Sequence, residues 1–137
     1  MRRKKLIKVW EESLREVECI TGNYKIREEW KLDQTKELPR GVLGQANFDE
    51  RLVRLNDVFV KQANAREIKD TILHELAHVL AGLKAGHGEK WESVAKTIGA
   101  SPNAGKVIKL NWHRKADLIL ALSYITLIAL GASVLLW

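Results

Sequence analysis

Residues 65–83 read AREIKDTILHELAHVLAGL, and this stretch decides how the rest of the sequence is interpreted. Asn64 stands three residues before Glu67, which is the spacing of a capping box at the start of a helix. Gly82 and Gly86 bracket the other end. The apolar residues recur at the period of one helical face: Ile68, Ile72, Leu73, Leu76, Val79 and Leu80. The sequence therefore predicts a helix over residues 65–83.

The same helix contains the pattern H-E-x-x-H, as His74-Glu75-Leu76-Ala77-His78. Residues four apart lie on one face of a helix, so both imidazoles can direct a ring nitrogen at one ion. Glu75 directly follows His74, so its side chain lies beside the ion without being a ligand. From there its carboxylate can take a proton from a water that the ion activates. The pattern predicts Glu75 as a general base.

A catalytic zinc needs a third protein ligand and one open position. His87 follows nine residues after His78, and the glycines on either side of it allow the chain to turn back sharply. Three of the four histidines thus fall within residues 74–87, whereas His113 stands apart as an ordinary histidine. The sequence predicts one catalytic Zn²⁺ held by His74, His78 and His87. The alternative, that the three are ordinary surface or core histidines, is disfavoured by their grouping.

The remaining segments predict an α+β fold. Helical periodicity marks residues 4–21 and 89–98, while short strands are predicted at residues 24–32, 41–48 and 51–55. No crossover helix separates the strands, which favours an antiparallel sheet. We therefore expect a small antiparallel sheet of about three strands. It should pack against the N-terminal helix and the H-E-x-x-H helix.

Residues 118–137, LILALSYITLIALGASVLLW, contain no charged residue. Twenty helical residues span about 30 Å, the thickness of the hydrocarbon core of a bilayer. The segment predicts a transmembrane helix; a buried helix of a soluble protein would keep more of a polar face. Lys106, Lys109, Arg114 and Lys115 precede it, so the positive-inside rule places the body on the cytoplasmic side. The expectation is a single-pass, tail-anchored protein with its catalytic domain on the cytoplasmic side of the membrane.

The formal net charge is +6, and one cysteine, Cys19, is present. One cysteine excludes an intramolecular disulfide and a four-cysteine zinc site. The basic excess favours solubility or attraction to anionic lipid, because the positive residues alternate with acidic ones. Nucleic-acid binding is the less favoured interpretation.

The sequence resembles the SprT-like family of zinc metallopeptidases over roughly residues 5–100. Two motifs carry the likeness: the H-E-x-x-H pentapeptide and Gly86-His87-Gly88-Glu89-Lys90-Trp91. Two upstream segments, residues 42–46 and 51–56, also resemble the paired strands that precede the active-site helix in that family. The resemblance implies that His74, His78 and His87 are zinc ligands and that Glu75 is the catalytic base. It also implies that Trp91 packs the following helix against the active-site helix.

The resemblance implies a domain organisation and leaves the substrate open. Residues 1–103 would form the metallopeptidase domain, 104–117 a basic juxtamembrane linker and 118–137 the transmembrane helix. The C-terminal zinc ribbon of many members is absent, and some eukaryotic members act on proteins crosslinked to DNA. We expect a protein or peptide substrate. The alternatives are a catalytically inactive, zinc-bound adaptor tethered to the membrane and a nucleic-acid-associated protease. The oligomeric state is unspecified.

Overall fold

A computed structural model describes residues 1–101 and 134–136, and this part of the chain has an α+β architecture. The helices are α1 (Arg3–Thr21), α2 (Ile26–Glu29), α3 (Asp57–Gln62), α4 (Ala65–Ala81) and α5 (Glu89–Ile98), with a 3-10 turn at Leu83–Ala85 between the last two. The strands are β1 (Lys31–Thr35), β2 (Gly44–Asn47), β3 (Leu52–Asn56) and β4 (Val134–Leu136). The α+β prediction is confirmed.

The sheet has the order β1-β3-β2-β4. Strands β2 and β3 form the predicted antiparallel hairpin, in which Gly44 pairs with Leu55 and Asn47 with Leu52. The side chain of Asn47 accepts a hydrogen bond from the Glu50 N–H at 3.0 Å in the turn. Arg51 ends the turn with φ of 53°, in the left-handed region.

The prediction of a purely antiparallel sheet is wrong, because β1 pairs with β3 in parallel, from Lys31 with Leu52 to Thr35 with Asn56. A parallel pair needs a connection of about a dozen or more residues, and this connection need not be a helix. Residues 36–51, which include β2, return the chain to the start of β3. The predicted strand at residues 24–32 is also displaced: a single helical turn, α2, comes first and β1 starts at Lys31.

The C-terminal segment differs from the prediction where it is described. Residues 134–136, predicted as the end of a transmembrane helix, form β4 and pair antiparallel with β2. Without β4, β2 would be an edge strand with unpaired N–H and C=O groups, and an apolar segment can satisfy them by pairing. The rest of the predicted linker and transmembrane helix lies outside the described residues. Within residues 1–101 and 134–136, no helix has the length and apolar character needed to cross a bilayer.

The predicted helices form close to their expected bounds. In α4 both halves of the capping box are present: the Asn64 side chain accepts from the Glu67 N–H at 2.9 Å, and the Glu67 carboxylate accepts from the Asn64 N–H at 2.8 Å. Helix α1 ends at Gly22, whose φ of 71° suits a glycine cap.

Helix α4 lies at the centre of the core. One side packs against α1 and α5, and the other packs against β2 and β3. The largest side chains buried around it come from every layer of the described fold: Leu14, Ile26, Leu55, Phe59, Ile68, Ile72, Leu76 and Trp91. The H-E-x-x-H motif is therefore carried by the helix that packs against both the other long helices and the sheet.

Buried Asn56 fixes the loop that leads into β2. Its side-chain amide donates to the carbonyl oxygens of Leu38 (3.4 Å), Pro39 (3.4 Å) and Val42 (3.1 Å). Its side-chain oxygen accepts from the Val58 N–H at 3.0 Å and so caps α3. Both the Nδ2 donor and the Oδ1 acceptor of Asn56 are therefore used. The path of the chain before β2 depends on the bonds that Nδ2 donates.

We expect Asn56→Asp to destabilise the fold by about 2–3 kcal/mol, because a buried carboxylate would face carbonyl oxygens without a proton to donate. Urea unfolding followed by circular dichroism measures this change. Asn64→Asp is the matched control, since exposed Asn64 uses its side chain only as an acceptor at a helix start, where an acid is favourable. Equal losses of stability in the two variants would contradict the proposed role of the Asn56 donor.

Candidate metal centre

Three imidazoles converge between α4 and α5. His74 and His78 lie one helical turn apart on α4, and His87 follows the 3-10 turn. The chain reverses at Gly86, whose φ of 53° is unfavourable for other residues. The Nε2 atom of His87 lies 3.1 Å from that of His74 and 3.0 Å from that of His78. The structure thus brings together all three histidines that the sequence predicts as ligands.

The donor set fits a shared zinc ion. Two nitrogens bound to a tetrahedral zinc at 2.0–2.1 Å are separated by about 3.3 Å. The two observed Nε2 separations are close to this value, and the candidate ligand atoms of the three rings all lie within 4.8 Å of one another. In the tautomer that carries its proton on Nδ1, each ring presents an Nε2 lone pair that could bind a cation.

Burial keeps the imidazoles neutral, which is the form that binds metal. Desolvation, together with the nearby rings of His78 and His87, lowers the pKa of His74 to about 2. Desolvation and the His87 ring lower the pKa of His78 to about 4, against a smaller opposing effect of the Gly86 backbone. Burial also lowers the pKa of His87. Protons therefore do not compete strongly with a cation at neutral pH.

The cluster is open on one side. His74 is 1% exposed and His78 is 0% exposed, whereas His87 lies at the surface. A catalytic site needs such an opening for water and substrate, whereas a structural zinc site is usually closed by a fourth protein ligand. Within the described residues, these three histidines are the group placed to hold a metal ion.

Trp91 forms the floor of the cluster. Its ring centroid lies 4.7 Å from that of His74, 5.3 Å from that of His78 and 4.8 Å from that of His87. Its indole N–H also donates to the His74 carbonyl oxygen at 3.5 Å. The expectation that Trp91 packs α5 against α4 is confirmed, and the contacts add that it orients all three imidazoles.

Glu75 is fully buried against β2. A Cβ atom placed on Gly44 would lie 3.0 Å from Glu75 Oε1 and 3.1 Å from a methyl carbon of Thr71. Burial raises the pKa of Glu75 well above its ordinary value, and the backbone amide of Ala46 opposes this effect. Neither carboxylate oxygen makes a hydrogen bond of normal geometry within the described residues. Burial therefore favours the protonated form of Glu75 more than it would for an exposed glutamate.

Gly44 was missed as a site residue by the sequence analysis. The sequence carried one relevant signal, since a glycine inside a strand often marks a close approach of another group. No local pattern identifies this group as the Glu75 side chain, because the contact joins β2 to α4 across 31 positions of the chain.

Comparison with known proteins points to one family. The model of the SprT-like family matches residues 10–113. Proteins named Protein SprT from Pseudomonas paraeruginosa and Pseudomonas aeruginosa are 31% identical to this chain over 64 residues. That match covers 43% of this chain and 39% of each relative, so it spans about two fifths of the length of these curated proteins. No solved structure matches this chain significantly.

Removal of the exposed histidine should weaken the centre without disturbing the core. We expect His87→Ala to lower zinc affinity by more than about a hundredfold, since even partners outside the ligand shell contribute 10–100-fold. Competition with a chromophoric chelator measures the affinity, and His113→Ala controls for a nonspecific effect of losing a histidine. Unchanged zinc affinity in His87→Ala would disprove the three-histidine site.

Proposed function

This chain belongs to the SprT-like family, and from that membership we propose that it is a zinc-dependent metallopeptidase. The observation that carries the proposal is a cluster of three neutral imidazoles that is open on one side. Two of them lie on the same helix as the buried carboxylate of Glu75. His74, His78 and His87 would hold the ion. Bound zinc would supply Lewis-acid activation of the water that attacks a peptide carbonyl.

Glu75 would act as the general base. Its raised pKa brings the carboxylate closer to the basicity that proton transfer near neutral pH requires. It would take the proton from the attacking water and deliver it to the departing amine. Gly44 keeps β2 close, so that the carboxylate has one position between the strand and α4. Trp91 holds the imidazoles in their orientation from the opposite side.

The proposed substrate is a protein or peptide, and its identity is left open. Nothing in the site favours the adaptor alternative, since a purely structural zinc requires neither an open side nor a buried carboxylate. A buried carboxylate costs free energy that the Ala46 backbone contact opposes only in part. Its retention beside the imidazoles supports a chemical role.

Glu75→Gln should abolish proteolysis and preserve zinc binding. The amide has the same shape as the carboxylate but cannot accept the proton, so we expect turnover to fall by about 10²–10⁴-fold. Cleavage of an unfolded protein such as reduced casein, followed by gel and mass spectrometry, measures activity.

Glu92→Gln is the matched control, because Glu92 is an exposed glutamate on α5. Full proteolysis by the Glu75→Gln variant would show that this carboxylate is not the base. Zinc loss from the same variant would show that Glu75 instead supports the metal site.

We also propose that residues 118–137 attach the protein to a membrane, with residues 1–103 on the cytoplasmic side. The absence of charge over twenty residues and the preceding basic residues support this proposal. Attachment would restrict the peptidase to substrates at that surface.

Two charges in the middle of this segment should release the protein from membranes. Each arginine at the centre of a spanning helix costs about 3 kcal/mol, so we expect the double substitution Leu127→Arg with Ile128→Arg to move the protein to the soluble fraction. The control replaces the same two residues with alanine. Wild-type protein in the soluble fraction after cell lysis and alkaline wash would refute the anchor.

A further inference from the structure

The start of α1 carries a cluster of positive charge, here called the basic patch. The first acidic residue of the sequence is Glu11, so every charged side chain before it is basic. All of these basic side chains are exposed: Arg2, Arg3, Lys4, Lys5 and Lys8. Within the described residues, Lys8 is the member of the patch that forms an ion pair, with Glu12 at 3.9 Å. Like charges four residues apart on a helix repel, as Lys4 and Lys8 do, so the patch does not stabilise α1.

An exposed apolar side chain lies within the basic patch. Ile7 is 46% exposed, which is unusual for a large aliphatic side chain in the described part of the chain. Arg3 and Lys4 precede Ile7 by four and three residues, a spacing that places all three on one face of the helix. An apolar side chain among cations on the exposed face of a helix is typical of contact with an anionic membrane surface.

A groove of about 460 Å³ between α1 and β1 extends this surface. Its lining is mainly apolar and basic: Leu6, Ile7, Trp10, Leu32, Arg3 and Lys31. The acidic residue in the lining, Asp33, pairs with Arg54 at 3.4 Å, so its charge is already compensated. The groove therefore adds one more cation, Lys31, and apolar area that a lipid can cover.

These features favour a bilayer over a nucleic acid as the partner. Both are anionic, so basic charge alone does not distinguish them. Proteins that bind single strands offer aromatic side chains on which bases stack. The exposed aromatic residue next to α1, Tyr24, follows the other end of that helix. An exposed isoleucine among cations instead suits the boundary between lipid headgroups and acyl chains.

The basic patch lies toward the end of α4 that is remote from the metal centre. The α-amino group of Met1 donates to the Val60 carbonyl oxygen at 3.0 Å, shortly before α4 begins. His78 belongs to the last turn of α4, a helix of 17 residues that is about 25 Å long. The Ser101 N–H donates to Asp70 at 3.1 Å, so the described body ends beside the first half of α4. Contact of the patch with a bilayer would therefore leave the metal centre away from the lipid.

We propose that the basic patch, together with Ile7 and the groove beside it, docks on the surface of an anionic lipid bilayer. The cations contact the headgroups, and Ile7 enters the boundary with the acyl chains. The proposal rests on the proposed membrane attachment, which brings the patch to a bilayer, and it does not require peptidase activity. It adds a second contact, which depends on anionic lipid and orients the body on the membrane.

A fluorophore placed in the patch tests this contact in the full chain. The environment-sensitive dye NBD is attached to Ile7→Cys in a chain that also carries Cys19→Ser. The matched control is the native chain labelled at Cys19, which is exposed on the same helix and lies about 18 Å further along it. Each protein is titrated with vesicles of phosphatidylcholine and phosphatidylserine in a three-to-one ratio, and with vesicles of phosphatidylcholine alone. We expect the anionic vesicles to raise the emission of the dye at position 7 and to leave the dye at position 19 unchanged.

Neutralising the patch should weaken this response. The triple substitution Arg3→Gln, Lys4→Gln and Lys5→Gln removes three charges from the labelled chain. Each basic residue near an anionic surface contributes about fivefold in affinity, so we expect the lipid concentration that gives half of the response to rise by about a hundredfold.

A second triple substitution is the matched control. Lys25→Gln, Arg40→Gln and Lys96→Gln remove the same number and kind of charges from exposed positions outside the patch. Because charges separated by more than about 10 Å are screened at ordinary salt, we expect this variant to stay within about threefold of the unsubstituted chain. Far-UV circular dichroism checks that both variants keep their fold.

The outcomes separate this contact from the proposed function. No response at position 7 to anionic vesicles overturns the docking surface; if the chain nevertheless sediments with them, the C-terminal anchor stands. Equal responses at positions 7 and 19, or equal losses in the two triple variants, also overturn it, because the contact would not be local to the patch. A response at position 7 from a chain that an alkaline wash removes from membranes supports the docking surface and refutes the anchor.

A labelled DNA duplex supplies the remaining comparison. If the patch variant loses affinity for the duplex and keeps its response to anionic vesicles, the patch binds nucleic acid and the proposal is wrong. A response at position 7 in a chain that cleaves no protein supports the docking surface and counts against the metallopeptidase alone.

Discussion

The burial of His74, Glu75 and His78 in the middle of the core helix is the constraint on which the rest of the structure depends. Three polar side chains in an apolar interior are costly unless each is neutral, hydrogen-bonded or bound to an ion. Desolvation keeps the two imidazoles uncharged, and His87 closes toward them from the following turn. A bound cation would satisfy the ring nitrogens, so that metal binding and packing of the core favour the same arrangement.

The burial of Glu75 also depends on how the sheet and its preceding loop are positioned. The Glu75 side chain fits against β2 only because the residue opposite it, Gly44, has no side chain. The position of Gly44 depends on the preceding loop, whose carbonyl groups are held by buried Asn56. Asn56 in turn begins α3, which leads into the capping box of α4. A defect in this loop would therefore reach the candidate base without altering any of the three histidines.

The sequence predicted those features that depend on the spacing of residues close together in the chain. The helical period and the capping box located α4, and the spacing of the histidines predicted a cluster that the structure brings together. The direction of β1 was not predictable in this way, because parallel pairing with β3 is set by the path of residues 36–51. The contact of Gly44 with Glu75 was missed for the same reason: it depends on how the sheet approaches α4.

The end of the apolar C-terminal segment has one observed position and one proposed position, and the two exclude one another. Residues 134–136 lie on the edge of β2 in the described fold, and the same residues belong to the uncharged stretch that suits a lipid bilayer. A residue inserted in lipid cannot also pair with β2. Insertion of these residues in lipid would therefore leave the edge of β2 that faces away from β3 unpaired. Membrane attachment would then change the pairing of β2, the strand that lies against Glu75, without any change in the three histidines.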